Sequence, residues 1–186
     1  MLRRPDPTFP FAHSDPAAPA GVFLTRRAAL SMDALAVSAY RRQGTEWGGG
    51  TFGRIWVERG WILVLIEDAT DGVCSNASPV RVDIESESWS YGEEQIRRAG
   101  RAPGLRIGNW HSHPNMPARP SQSIDLVSWS GYGRRPDFVA VIVNPFPHSG
   151  PEHSCWALVS GAYKRLPVWV INDTPEARSM LEVGLR

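Results

Sequence analysis

The stretch GNWHSHPNMPARPSQSID, residues 108–125, joins a strand to a helix through a proline-rich loop. Successive side chains of a strand point to opposite faces, so His111 and His113 project together while Ser112 points away. Pro114 ends the strand, and the loop NMPARP lets the chain turn back, which brings Asp125 on the following helix toward the two imidazoles. Two histidines and one carboxylate suit zinc with its fourth position left to water, the open arrangement of a catalytic site. Calcium and magnesium prefer all-oxygen sets and fit poorly. A histidine pair on a strand is also commonly satisfied by ordinary hydrogen bonds, so the pair alone does not settle metal binding.

Working outward, residues 104–113 read as the strand that carries the histidines and residues 123–131 as the helix that carries Asp125, stopping near Gly131. FVAVIV, residues 138–143, is a short β-branched run of the buried-strand kind. CWALVS and AYKRLPVWVI supply further strands, paired across Gly161. Upstream, Val22, Phe23 and Leu24 form a short apolar stretch. Residues 26–42 then place Ala28, Ala29, Met32, Leu35, Ala36, Ala39 and Tyr40 on one helical face, and Gly44 ends that helix. GTEWGGGTFGRIWVE and WILVLIEDA read as a hairpin turning at Arg59-Gly60. A strand is expected at residues 80–84 and a short helix at 92–99. Thr174 and Pro175 look like the N-cap and first residue of a C-terminal helix. The pattern is mixed α/β around one sheet.

A chain of 186 residues suits one domain with a substantial core. Residues 1–20, with five prolines, read as a flexible extended arm, leaving residues 21–186 as the domain. Hydrophobic residues at 42% and eight tryptophans fit a globular protein. A net charge of +1 argues against a dedicated nucleic-acid binder, and the arginine pairs at 26–27, 97–98 and 134–135 read as solvated surface. Cys74 and Cys155 fit no paired spacing and imply reduced thiols in a cytoplasmic protein. The N-terminus lacks the apolar core of a signal peptide, and the longest apolar run, WILVLI, is far below the ~20 residues a membrane span requires, so no membrane partner is expected.

A zinc hydrolase needs a base near the ion that does not ligate it. TEWGGGTFG, residues 45–53, offers Glu46, followed by glycines that permit close backbone approach. Alone, Glu46 reads equally as a solvent-facing residue before a glycine bulge. Together the two segments resemble the JAMM (MPN+, JAB-type) metalloproteases, whose pattern is E-x-G-G-x-x-x-G, then H-x-H-P, a P-S pair and an aspartate. Here these are EWGGGTFG (46–53), HSHP (111–114) and PSQSID (120–125), and the resemblance runs over about residues 22–171.

The resemblance implies a cytidine-deaminase-like α/β domain, a central mixed sheet flanked by helices. It implies His111, His113 and Asp125 as ligands of Zn2+, Glu46 as the base that activates water, and a serine that stabilises the oxyanion. In the family that serine lies three residues before the aspartate, where this chain has Gln122. Ser121, which follows Pro120 as in the family, is the first choice and Ser123 the alternative; either also suits a helix N-cap. Family members hydrolyse bonds at the C-terminus of ubiquitin or ubiquitin-like proteins. The run 110–129 is most similar to JAMM proteins of bacterial mobile elements and antiphage operons, encoded beside E1- and E2-like enzymes. The expected function is therefore deconjugation or precursor trimming of a bacterial ubiquitin-like modifier. A peptidase for a sulfur-carrier protein and a non-catalytic MPN scaffold are the alternatives. Trp47 and Trp110, each next to a site residue, are candidates for lining the substrate groove, and Cys74 for an extra ligand, although a plain thiol is the simpler reading.

Overall fold

The computed structural model describes residues 19–58, 61–130, 138–147, 150–159 and 161–175. The Arg59-Gly60 turn, the helix end at Gly131, all but the last residues of the N-terminal arm and the body of the C-terminal helix lie outside the described residues.

The chain begins with β1 (Pro19–Thr25), which feeds directly into α1 (Arg26–Gln43). Thr25 starts this helix. Its hydroxyl accepts from the Ala28 amide at 3.1 Å and donates to the Glu67 carbonyl at 2.8 Å, so the cap also ties the helix to the sheet. Gly44 ends it at φ 69°, donating its amide to the Tyr40 carbonyl. Strands β2 (Gly48–Glu58) and β3 (Trp61–Ala69) form the expected antiparallel pair. A small hairpin of β4 (Cys74–Ser78) and β5 (Arg81–Ile84) follows, then α2 (Glu87–Arg98), β6 (Leu105–Ser112) and α3 (Asp125–Ser130). The chain continues through β7 (Val139–Asn144), β8 (Glu152–Val159), β9 (Ala162–Leu166) and β10 (Val168–Ile171).

Eight strands form one mixed sheet in the order β10-β1-β3-β2-β6-β7-β8-β9. Its two edges are consecutive in sequence. Residues 162–171, expected as one strand, divide at Pro167, which has no amide to donate to a ladder. β9 closes the far edge against β8 and β10 the opposite edge against β1, and the Pro167 carbonyl accepts from Val22 N at 2.9 Å. The sheet therefore curls until one residue links its edges.

The concave side is filled by Val22, Leu24, Val64, Ile66, Trp110, Val141 and Ala157, with Ala28, Met32 and Ala36 of α1 packed against them. On the outer side α2 covers Phe52 with Trp89 and Ile96. A separate cluster of Trp129, Phe138, Ala140 and Ile142 lies under α3. α2 begins five residues before the expected position because Gly92, which masks the helical pattern, is inside it. A Cβ there would stand 2.4 Å from Thr70 Oγ1 and 2.8 Å from Phe52, so the glycine serves close packing of helix on sheet. No helix among the described residues is long and apolar enough to cross a membrane.

Candidate metal centre and active site

β6 sits between β2 and β7 in the middle of the sheet. In the parallel β6–β7 register His111 stands beside Ile142, on the face under α3, whereas Trp110 stands beside Val141 on the α1 face. The antiparallel β2–β6 register pairs Gly48 with His111. It continues past the strand: Ser112 N donates to Trp47 O at 2.8 Å, and Trp47 N donates to Ser112 Oγ at 2.9 Å. One step further Glu46 stands opposite His113, so the two side chains share a face because the strand alternation is kept. Ser112 is the fastener that the H-x-H spacing leaves on the far side.

The donors converge. His111 Nε2 and His113 Nε2 are 3.0 Å apart, His111 Nε2 is 3.1 Å from Asp125 Oδ1, and His113 Nε2 is 3.6 Å from Asp125 Oδ2. All three residues are buried, and their ligand atoms lie within 4.8 Å of one another. Ligand atoms around a tetrahedral zinc, with bonds of about 2.0–2.2 Å, stand roughly 3.3–3.6 Å apart. These separations need little change to hold such an ion, and the borderline-soft imidazole pair favours zinc over hard cations.

Two of the three residues are held by a further contact. His113 Nδ1 lies 3.2 Å from the Pro117 carbonyl and donates its proton there, which leaves Nε2 facing Asp125. Asp125 opens α3. Its Oδ2 accepts from Ser121 N at 2.6 Å, while its own amide donates to Ser121 Oγ at 3.1 Å, a reciprocal cap that explains why a short helix starts there. The loop 114–120 is shaped by Asn115 at φ 60°, whose side chain donates to Tyr40 Oη at 2.9 Å and so ties the loop to α1.

Burial depresses the pKa of His111 against the pull of Asp125, favouring the neutral ring that ligates a metal. His113 is also opposed by burial, but Asp125 and Glu46 outweigh it and raise its pKa. For Asp125 burial is overcome by the hydrogen bonds and charge of the two histidines and by the Ser121 amide, which hold the carboxyl well below the usual carboxylate range. Glu46 behaves oppositely. Burial pushes it up to about 8, with His113 opposing and Asp125 adding. Its Oε1 is 3.8 Å from His113 Nε2 and has no hydrogen-bond partner among the described residues. A buried carboxyl with an unpaired oxygen beside three converging donors has the environment in which functional acids and bases are found.

A family model of the prokaryotic homologs of the JAB domain matches residues 30–159, a span that contains Glu46, His111, His113 and Asp125. The chain belongs to the prokaryotic JAB-domain family. Among solved structures, this JAB domain is similar to the solution structure of protein DSY2949 from Desulfitobacterium hafniense. The two are 19% identical with a TM-score of 0.59, and the match covers 83% of this chain and 96% of that one. At that identity the likeness speaks for the fold. No curated protein matches the sequence. The JAB family includes metallopeptidases, and the His-His-Asp group of this member can hold a metal.

Other candidates fall elsewhere. Ser121 is beside Asp125 in the capping arrangement, and Ser123 is exposed in the turn before α3. Trp47 and Trp110 pack on the α1 face, opposite the ligands, and so do not line a groove on the metal face. Cys74 donates its thiol to the Gly48 carbonyl at 3.4 Å and stands outside the ligand group. His153 faces Asp33 of α1 at 3.1 Å, across the sheet from the site. Sequence reasoning missed Ser112, the Pro117 carbonyl and Asp71, which accepts from the Trp47 indole at 2.6 Å; no residue pattern marks them.

Proposed function

We propose that the protein is a zinc-dependent peptidase or isopeptidase that cleaves after the C-terminus of a bacterial ubiquitin-like modifier, in deconjugation or precursor trimming. The observation that carries this reading is the Glu46 carboxyl, buried and unpartnered at Oε1, facing the His111-His113-Asp125 group.

His111 Nε2, His113 Nε2 and the Asp125 carboxylate would hold the ion. Zinc supplies Lewis acidity, polarising the scissile carbonyl and lowering the pKa of water toward ~7. Glu46 Oε1 would receive the proton that the attacking water loses, the charge of the bound cation keeping the carboxyl ionised against the burial that raises it to about 8 in the metal-free protein. The same oxygen then returns the proton to the leaving amine. Ser121 Oγ accepts from the Asp125 amide, which leaves its own proton free to donate to the developing oxyanion. Loss of such a donor typically costs about 2.7–4 kcal/mol in the barrier, so a Ser121→Ala enzyme is slowed rather than abolished.

An extended tail of small residues is the natural occupant beside Glu46. The Glu46 amide donates to Ser78 O at 2.8 Å, which sets the β4–β5 hairpin next to the base and offers short strands for a tail to join. E1- and E2-like enzymes of an antiphage or mobile-element operon are the partners that the resemblance of residues 110–129 implies. A ubiquitin-like protein carrying a C-terminal extension should be cut at its junction by the wild-type enzyme, and neither by Glu46→Gln nor after chelation. Undiminished cleavage in either case removes the metallopeptidase reading.

A further inference from the structure

The indoles of Trp47 and Trp110 flank the base and the first ligand in sequence, and both donate to one loop, residues 70–73. Trp47 Nε1 donates to Asp71 Oδ1 at 2.6 Å and Trp110 Nε1 to Thr70 O at 2.9 Å. This loop is itself braced by two side chains of α2. Gln95 pairs with the Asp71 backbone in both directions, at 3.3 and 3.1 Å, and Ser88 does the same with Val73, at 2.9 and 3.0 Å. The glycine run makes the approach possible: a Cβ on Gly49 would stand 2.0 Å from Thr70 O, and one on Gly72 would stand 2.4 Å from Gly48 O.

Glu46 has no hydrogen bond of its own at Oε1, so its aim depends on the backbone that carries it. That backbone is fixed by Ser78 on one side of the residue and, on the other, by the two bonds between Trp47 and Ser112 of β6, with the Trp47 side chain in turn anchored at Asp71. We propose that Asp71 is a positioning residue for Glu46, acting through the Trp47 indole, with α2 as the brace behind it. The proposal rests on the peptidase reading for its kinetic consequence but not for its structural one.

The test uses the full-length protein with Asp71→Ala, Asp71→Asn and Trp47→Phe. Asn keeps an acceptor for the indole; Phe removes the donor and keeps a ring. Hydrogen exchange over residues 45–48 should speed about tenfold or more in Asp71→Ala and Trp47→Phe, and stay near wild type in Asp71→Asn. Zinc stoichiometry should not change, because Asp71 touches none of the three ligands. On a ubiquitin-like fusion kcat should fall about 10- to 100-fold while KM stays within about threefold, the signature of a misplaced catalytic group, with Asn restoring turnover. Unchanged exchange over 45–48, or an Asn variant as defective as Ala, overturns the positioning role. A wild-type protein that cleaves nothing defeats the peptidase reading instead, and the exchange measurement still decides this one. Should Asp71→Ala not fold, Trp47→Phe carries the decision.

Discussion

Replacing Glu46 by Gln should abolish turnover and yet make the metal-free protein more stable, by an amount that depends on pH. Glu46 is 2% exposed, and burial pushes its pKa from 4.5 to about 8. Ionising it in the folded chain therefore costs roughly 5 kcal/mol more than in the unfolded chain, of which about 3 kcal/mol is felt at pH 7 because the group is then mostly protonated. The sign follows from the raised folded pKa: no penalty below pH 4.5, a growing one from there to about 8, and the full penalty above. Gln has no such titration. The histidines and Asp125 are common to both proteins, and loss of the Glu46 charge, 3.8 Å from His113, returns part of the gain. The stability advantage of Glu46→Gln should thus grow by about 2–3 kcal/mol between pH 5 and pH 8. Urea denaturation of chelator-treated proteins at several pH values measures it directly. Parallel profiles for the two proteins would refute the picture of a desolvated, unpaired carboxyl, and with it the proposal that Glu46 serves as the base.

Gly92→Ala should destabilise by about 1–3 kcal/mol although alanine is the better helix former, since its Cβ would press on Thr70 and Phe52; a rise in Tm would show that α2 can shift freely. Burial pushes the Cys74 thiol up to about 11, so about one molecule in a thousand carries its thiolate at pH 8. Cys155 is fully buried, with its thiol raised further by that burial. Both should resist alkylation in the native state and react promptly in guanidinium, and fast native labelling of Cys74 would contradict its hydrogen bond to Gly48.

Local rules and the paired motifs carried most of the site into view. Strand alternation put His111 and His113 on one face, and the loop after Pro114 brought Asp125 back to them. Glu46 was legible only through its company: nothing in TEWGGG reveals that the ladder runs on past Gly48 to set it opposite His113. The tryptophans were harder still, because a ring next to Glu46 or His111 in sequence lies on the other side of the sheet from it. Gly92 hid the first turns of α2, since the packing that demands a glycine comes from Phe52, forty residues away in sequence. β4 was missed because CSNAS has no apolar alternation, and the split at Pro167 because its cause is the curl of the whole sheet. Tertiary contact, which no local pattern encodes, decided Glu46, the tryptophans, Gly92 and Pro167.

Metal content tests the site most directly. Protein purified without chelator, together with His113→Ala, Asp125→Ala and Glu46→Gln, should be analysed for zinc by mass spectrometry after exhaustive dialysis. One zinc per chain is expected in wild type and in Glu46→Gln, with loss in the other two. Zinc kept by Asp125→Ala and His113→Ala, or absent from wild type even after zinc is supplied, would contradict it.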